Sequence, residues 1–310
     1  MSVVGIDAGG TRTVCLVADR AGRVVSEARG PGANLQSAGE LEVEKVLHDV
    51  IGQAIGSGEP PVAICLGMAG VDRPGDAEIV RAILARIGGR AAILVVNDAL
   101  IALEAGAPGT AGTVVIAGTG SIAYGRDAHG RAARAGGWGY VLGDEGSGYW
   151  LGRLALRAVV RASDGRGAPT GLTPLVLAHY GVDHADALVQ QIYQGGTRPA
   201  AIAALAKLVG EAADAGDIVA QQLVVLGARE LAGAAASVAC RLHIERDPIV
   251  LAGGTLLGLR RLREVLVQEL AIALPHAPIM PLAVQPAVGA VRLALAAASG
   301  RFTLPAYTDA

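Results

Sequence analysis

Two glycine-rich turns carry the residue types that phosphate chemistry needs. The first, Asp7-Ala8-Gly9-Gly10-Thr11, follows the β-branched run Val3 to Ile6. Glycines let backbone amides approach an anion closely, Thr11 adds a hydroxyl donor, and Asp7 at a strand end can hold a magnesium ion through its water shell. An Asp/Gly hairpin without a ligand is the plainer alternative. The second turn, Gly118-Thr119-Gly120-Ser121, follows Val114 to Ile116 and offers a second set of amides and hydroxyls. It half matches a dinucleotide fingerprint, but that turn must open into a helix. Here Ile122 and Tyr124 alternate into a turn at Asp127, which predicts a strand. A P-loop is excluded because no Gly-x-x-x-x-Gly-Lys-Ser/Thr segment occurs, and Lys45 and Lys207 lie away from glycine-rich loops. The charge of a bound phosphate then falls to metal, backbone amides and Arg12, a residue equally suited to a solvated hairpin.

Other residues suit a polyhydroxylated ligand. Aromatic residues make up only 3% of the chain, yet Tyr124, Trp138, Tyr140, Tyr149 and Trp150 lie close together in it. The stretch from Gly136 to Ser147 joins Trp138, Gly139 and Tyr140 to the carboxylates Asp144 and Glu145. A pyranose presents apolar C–H faces and a rim of hydroxyls, which such a segment can cover and accept from. A core tryptophan in a tight turn with solvated acids is the alternative. Asp98, in Asn97-Asp98 after an apolar strand, is either a helix cap or a general base that takes a proton from a hydroxyl nucleophile. Asn34, in the loop Gly30 to Leu35, is either a turn residue or a hydroxyl ligand.

The elements that must position these residues alternate between strand and helix. Val3 to Ile6, Thr13 to Ala18 and Val24-Val25 predict three antiparallel strands joined by glycine-containing turns. Leu41, Val43, Val46, Leu47, Val50 and Ile51 recur near helical spacing and predict an amphipathic helix over 39–55. A strand over 62–66 with a turn at Gly67 to Gly70, a helix over 76–87, a strand over 92–96 and a helix opening at Asn97-Asp98 follow. The fold class is therefore α/β. The pattern restarts near Thr113, and Asp127, Gly130 and Arg131 match Asp19, Gly22 and Arg23 at one common offset, so the chain reads as duplicated. The linker is near Ala107 to Gly112. Beyond Trp150 the chain reads as helical and alanine-rich, with a buried strand over 248–252 feeding Gly253-Gly254-Thr255.

The whole composition bounds the partners. A chain of 310 residues carries 52% hydrophobic and 17% charged residues, which excludes disorder and predicts two domains. A formal charge of −2 leaves no electrostatic footprint for nucleic acid or an anionic membrane. Cys15, Cys65 and Cys240 stand singly, without zinc, iron–sulfur or disulfide spacing, which fits a reducing cytoplasm. The start Met-Ser-Val-Val-Gly-Ile-Asp has no basic n-region, and neither secretion nor membrane spanning is expected.

Taken in order, Asp7 to Thr11, Gly118 to Ser121 and Val250 to Thr255 resemble the two phosphate motifs and the adenosine motif of the sugar kinase, Hsp70 and actin superfamily. Gly137-Trp138-Gly139-Tyr140 running into Gly143-Asp144-Glu145-Gly146-Ser147 resembles the N-acetylglucosamine kinase branch of the BadF/BadG/BcrA/BcrD ATPase family. The resemblance spans nearly the whole chain. It implies two duplicated ribonuclease-H-like, actin-like ATPase domains with a cleft between them, the first over 1–110 and the second over 111–310. The second would carry a helical insert, and the last helix could pack back on the first domain. It further implies an ATP-dependent kinase acting on the 6-hydroxyl of N-acetylglucosamine or glucosamine. Asn34, Asp98, Trp138, Gly139, Tyr140 and Asp144 correspond to sugar contacts, with Asp98 the base. Gly9, Gly10, Thr11, Gly118, Thr119 and Gly120 correspond to phosphate contacts, Gly253 and Gly254 to the adenosine end, and Asp7 to the Mg2+ side. Tyr140 stands where the animal enzymes carry histidine, so the acyl state of the sugar stays open. The implied partners are ATP and an amino sugar, without nucleic acid or membrane, and a homodimer is compatible. The alternative within the same family is an ATPase activator of a dehydratase or reductase, which would need a cysteine-ligated iron–sulfur cluster.

Overall fold

The computed structural model describes the chain apart from residues 36–38, 72–73, 195–197 and 309–310. Strands β1 (Val3–Ala8), β2 (Arg12–Ala18) and β3 (Val24–Pro31) open the chain. Helix α1 (Glu40–Ile55), β4 (Ala63–Met68), α2 (Pro74–Gly88), β5 (Ala92–Asn97) and α3 (Asp98–Gly106) follow. The pattern restarts with β6 (Gly112–Ala117), β7 (Ser121–Arg126) and β8 (Arg131–Gly136). A helical stretch comes next: α4 (Gly148–Ser163), α5 (Leu172–Tyr180), α6 (Ala187–Gln194), α7 (Pro199–Ala204), α8 (Ala206–Asp214) and α9 (Ile218–Leu242). The chain ends with β9 (Ile249–Ala252), α10 (Gly254–Gly258), α11 (Arg260–Ala273), β10 (Ile279–Pro281), α12 (Pro286–Ala298) and β11 (Ala306–Tyr307).

The fold is α/β with two sheets. The first has the order β3-β2-β1-β4-β5 and the second β10-β9-β6-β7-β8-β11. Reversed and without β11, the second order is β8-β7-β6-β9-β10, so each strand of the first sheet has a counterpart. The hairpin turns repeat in atomic detail. Asp19 Oδ1 accepts from the amides of Ala21 and Arg23, and Asp127 Oδ1 accepts from those of His129 and Arg131. Nε of Arg23 and of Arg131 donates to the second oxygen of the corresponding aspartate. Gly22 and Gly130 take φ +79° and +80°, a region in which glycine has no steric penalty.

The chain divides into two compact units. One comprises 1–114, 124–133 and 280–310, and the other 115–123 and 134–279. In the first, β1 lies antiparallel to β2 and parallel to β4, which lies parallel to β5. Every residue of Val3–Ile6 is buried, as an apolar run at the centre of a covered sheet requires. Val43, Val46, Leu47, Val50 and Ile51 of α1 are buried, but Leu41 is 83% exposed. The helical stripe therefore begins at Val43, and the first turn faces solvent. The strand expected to stop at Leu66 continues through Gly67 and Met68. Gly67 is a packing glycine rather than a turn glycine, since a Cβ there would lie 2.3 Å from Ile101 Cδ1 of α3.

Helix α12 packs in the first unit. A Cβ on Gly5 would lie 2.4 Å from Val291 N, and one on Gly289 would lie 1.9 Å from the Ile101 carbonyl oxygen. Arg292 Nη1 donates to the Glu104 and Ala105 carbonyls at 2.7 and 3.0 Å, closing the C-terminal turn of α3. In the second unit α9 buries Ala220, Val224, Gly227, Ala228, Leu231, Ala232, Ala235, Val238, Ala239 and Leu242. Among the described helices it is the one long and apolar enough to cross a membrane. Its largely small-residue buried face and its mid-helix Arg229 and Glu230 are those of a core helix.

Candidate active site

In the first unit the candidate residues collect at the C-terminal ends of the parallel strands. The register sets Ala8 of β1 beside Met68 of β4, and Met68 beside Asn97 of β5. The residues just beyond that row are Gly9, Ala69 and Asp98. Open α/β sheets bind ligands outside this edge, where strands give way to loops and helix N-termini. The β1–β2 turn is closed by Gly9 N–H donating to Arg12 O at 3.0 Å, with Gly10, Thr11 and Arg12 exposed. Loop 32–34 lies against it: Ala33 N–H donates to Gly9 O at 3.1 Å, and a Cβ on Gly32 would lie 2.3 Å from Gly10 O. Asn34 Nδ2 donates to Ala69 O at 3.3 Å, which joins this loop to the end of β4.

Asp98 is not the helix cap. Asn97 is: its Oδ1 accepts the Ala99 amide at 2.8 Å. Asp98 is the first residue of α3, half-buried, beside a helix N-terminus that favours negative charge. Asp7 is also half-buried, and burial pushes its carboxyl up from 3.8 to about 6, with the nearby Arg12 charge opposing that rise. A carboxylate held at such a cost when ionised is suited to a cation. One carboxylate, together with substrate phosphates and water, is the ligand set magnesium usually takes, so Asp7 fits a hydrated Mg2+. Among the described residues no group of three His, Cys, Asp or Glu side chains could cage a metal.

In the second unit three candidate loops meet. Gly118 O accepts from the Gly148 amide at 2.8 Å and from Thr255 Oγ1 at 2.8 Å. Residues 118–121, 136–149 and 253–255 are thus one hydrogen-bonded assembly. Gly253 takes φ +97°, and its Cβ would lie 2.3 Å from Ala117 O, so glycine is required on both counts. Gly120 has neither a positive φ nor open space: a Cβ there would lie 2.7 Å from Asp144 Oδ2. Asp144 itself is buried, with φ +64°, and its Oδ1 accepts the Ser121 amide at 3.3 Å. Burial raises its carboxyl above the usual range, the Ser121 amide lowers it, the Glu145 charge raises it, and the Gly139 amide lowers it.

Trp138 is not a core residue. It is 63% exposed, with the Arg134 guanidinium 4.7 Å from its ring centroid, and Tyr140 stacks obliquely on Tyr149 at 4.9 Å. Arg134 Nη1 also donates to Gly136 O at 3.1 Å, which holds the start of the segment. Gly32 and Arg134 stand outside the sequence motifs, and Ser121 and Thr255 stand inside them without an assigned role; the geometry brings all four against the candidate loops. Ser121 and Thr255 each end a glycine-rich turn, and that placement was their signal.

A model of the BadF/BadG/BcrA/BcrD ATPase family matches residues 4–294. The chain belongs to that family. Within the BadF/BadG/BcrA/BcrD family it is similar to an N-acetylmuramic acid/N-acetylglucosamine kinase of Clostridium acetobutylicum, 36% identical over 299 residues and covering 94% of this chain and 97% of that one. An N-acetyl-D-glucosamine kinase of Dictyostelium discoideum is 32% identical over 309 residues, with the same coverage. Among solved structures, a putative N-acetylglucosamine kinase from Chromobacterium violaceum superposes with TM-score 0.77 at 29% identity, covering 95% of this chain and 98% of that one. The two curated relatives are named as kinases, which does not favour the dehydratase-activator alternative. Cys15 and Cys65 are buried, and burial pushes both thiols up, that of Cys15 to about 12.

Proposed function

We propose that the protein is a cytoplasmic kinase that transfers the terminal phosphoryl group of ATP to the 6-hydroxyl of an amino sugar, N-acetylglucosamine or glucosamine. The observation that carries this reading is the place of Asp98. It sits beyond the same strand-end row as the Gly9–Thr11 turn, and Asn97 rather than Asp98 does the capping. In this reading Asp98 accepts the proton of the 6-hydroxyl as that oxygen bonds to phosphorus, and the bond to the ADP oxygen breaks. The products are ADP, the sugar 6-phosphate and a proton. Asn34 and Asp144 pair with sugar hydroxyls, Trp138 covers an apolar sugar face, and Gly139 and Tyr140 complete that side. Amides of Gly9, Gly10, Gly118 and Gly120 and the hydroxyls of Thr11 and Thr119 hold phosphate oxygens, with Gly253 and Gly254 beside the adenosine. Magnesium, when bound, neutralises phosphate charge, and Asp7 holds it through water. The domains are taken as 1–110 and 111–310.

The deciding experiment is a coupled ADP-release assay with N-acetylglucosamine, glucosamine, N-acetylmannosamine, N-acetylmuramic acid and glucose, the product being located by NMR. The expected result is sugar-dependent ADP release with phosphate on O6 of an amino sugar. ATP hydrolysis indifferent to every sugar would overturn the kinase reading.

A further inference from the structure

Ser121 uses each of its polar groups on the segment that follows β8. Its N–H donates to Asp144 Oδ1 at 3.3 Å, its Oγ donates to Glu145 O at 2.7 Å, and its carbonyl accepts the Gly137 amide at 3.0 Å. The residue is buried, so these bonds form away from competing water. The other residues of its turn are tied to the same segment: Gly118 O to the Gly148 amide, Thr119 O to the Tyr149 amide, and Gly120 against the Asp144 carboxylate. Loops 118–121 and 136–149 therefore cannot shift independently.

The backbone of the second loop is unusually constrained. Gly136, Gly137, Gly139, Asp144 and Gly146 all have φ between +64° and +83°. For the glycines this conformation carries little penalty, and aspartate is among the few other residues that tolerate it, through the hydrogen bonds its short side chain makes. An aspartate at this position is explained by its carboxylate, and that carboxylate is held by Ser121.

We infer that Ser121 is the positioning residue that couples sugar binding to nucleotide binding. The inference rests on the kinase reading above, in which Asp144 faces the sugar and Gly118–Gly120 face phosphate. A sugar hydroxyl that fixes the Asp144 carboxylate also fixes the backbone of its neighbour Glu145, and the Ser121 hydroxyl, bonded to Glu145 O, carries that order into the peptide planes of 118–121. The nucleotide then meets a turn already ordered, and its affinity rises by the factor that the sugar contributes. Thermodynamic linkage makes the effect reciprocal.

Calorimetry on the full chain tests this, with magnesium and the β,γ-imido analogue of ATP titrated in the absence and presence of saturating N-acetylglucosamine or glucosamine. The wild type is expected to bind the analogue about 5- to 20-fold more tightly with sugar present. Ser121→Ala, which removes the bond to Glu145 O, is expected to bring that ratio below about twofold, and Ser121→Thr, which keeps the hydroxyl, to restore it. A merely structural role would weaken both ligands and leave the ratio intact. Hydrogen exchange on the wild type gives a second reading that needs no variant: sugar alone is expected to slow exchange across 118–121. An unchanged ratio in Ser121→Ala, or exchange at 118–121 indifferent to sugar, overturns the coupling. Failure of the wild type to bind any sugar of the assay panel overturns the kinase reading itself.

Discussion

At the scale of single residues, two aspartates carry separable predictions. Asp98→Asn keeps the shape and a hydrogen-bonding group while removing the proton acceptor. Turnover is expected to fall by roughly two to four orders of magnitude, with nucleotide affinity nearly unchanged in calorimetry. Retention of more than about a tenth of the activity would make Asp98 a bystander. Asp7 gives a prediction that needs no activity. Burial raises its carboxyl from 3.8 to about 6, so folding favours the neutral acid. The associated stability is full below about pH 4 and is lost as the pH rises through 6, a difference of up to about 3 kcal/mol. In the ligand-free protein, Asp7→Asn should therefore gain in melting temperature relative to wild type by several degrees between pH 5 and pH 7.5. A difference between the two proteins that stays constant over that range contradicts the assignment. The residue types at both positions were legible in the sequence, because a carboxylate at a strand end is a pattern of spacing. The conformation of Asp144 was not, since a positive φ in a non-glycine residue leaves no trace in periodicity. Nor did the sequence tell the cap from its neighbour: Asn97 and Asp98 are both good caps, and only the hydrogen bond to Ala99 separates them.

Elements were legible where one local period decided them. The β1–β3 meander, α1, β5 and the restart at β6 follow from alternation, helical spacing and turn residues, and the Asp127–Arg131 turn was recognisable from Asp19–Arg23. The errors arose where a contact distant in sequence overrode the local signal. Gly67 read as a turn residue because the requirement for glycine there comes from Ile101 of α3, not from the backbone. The same kind of contact makes Gly289 a sensitive position. Its Cβ would lie 1.9 Å from Ile101 O and 2.7 Å from Ala105 N, both backbone atoms of α3. Gly289→Ala should force α12 and α3 apart and destabilise the protein by more than about 2 kcal/mol, although the substitution favours a helix. Because Asp98 opens α3, kcat should fall with it. Gly52→Ala is the control: Gly52 is exposed in α1 with nothing near its Cβ position, and about 0.5–1 kcal/mol of stabilisation is expected. Thermal unfolding of both variants checks the pair, and a neutral Gly289→Ala would show that the helix contact can relax.

On the scale of the molecule, the first unit is assembled from three separate stretches of chain, and Glu104 marks where they meet. Both oxygens of its carboxylate accept the Gly109 amide at 3.2 Å, and its Oε2 also accepts Arg126 Nη2 of β7 at 2.8 Å. Its backbone carbonyl accepts Arg292 Nη1 of α12. Both charged partners are largely buried, so the pair has little water to replace either member. No candidate-site residue lies beyond Thr255, and a reading by motifs alone would treat everything after it as dispensable. Packing argues otherwise. Ala287, Ala290, Val291, Leu293 and Ala294 of α12 are buried, and Val291 N lies 2.4 Å from where a Cβ on Gly5 would be, in the centre of the first sheet. A chain truncated to residues 1–285 would expose that face of β1 and α3 and leave the Glu104 and Ala105 carbonyls without Arg292. It is expected to be insoluble, or to lack a cooperative unfolding transition, while still containing every residue assigned to the reaction. Truncation to 1–300 removes the two-residue edge strand β11 against β8, the edge-on contact of Tyr307 with Tyr124, and the buried Pro305. That chain should fold with a lower melting temperature and keep sugar-dependent ADP release. Circular dichroism melts and the coupled assay on the two truncations separate the cases, and a soluble, cooperatively folded 1–285 chain would show that α12 covers the first unit without being needed to form it.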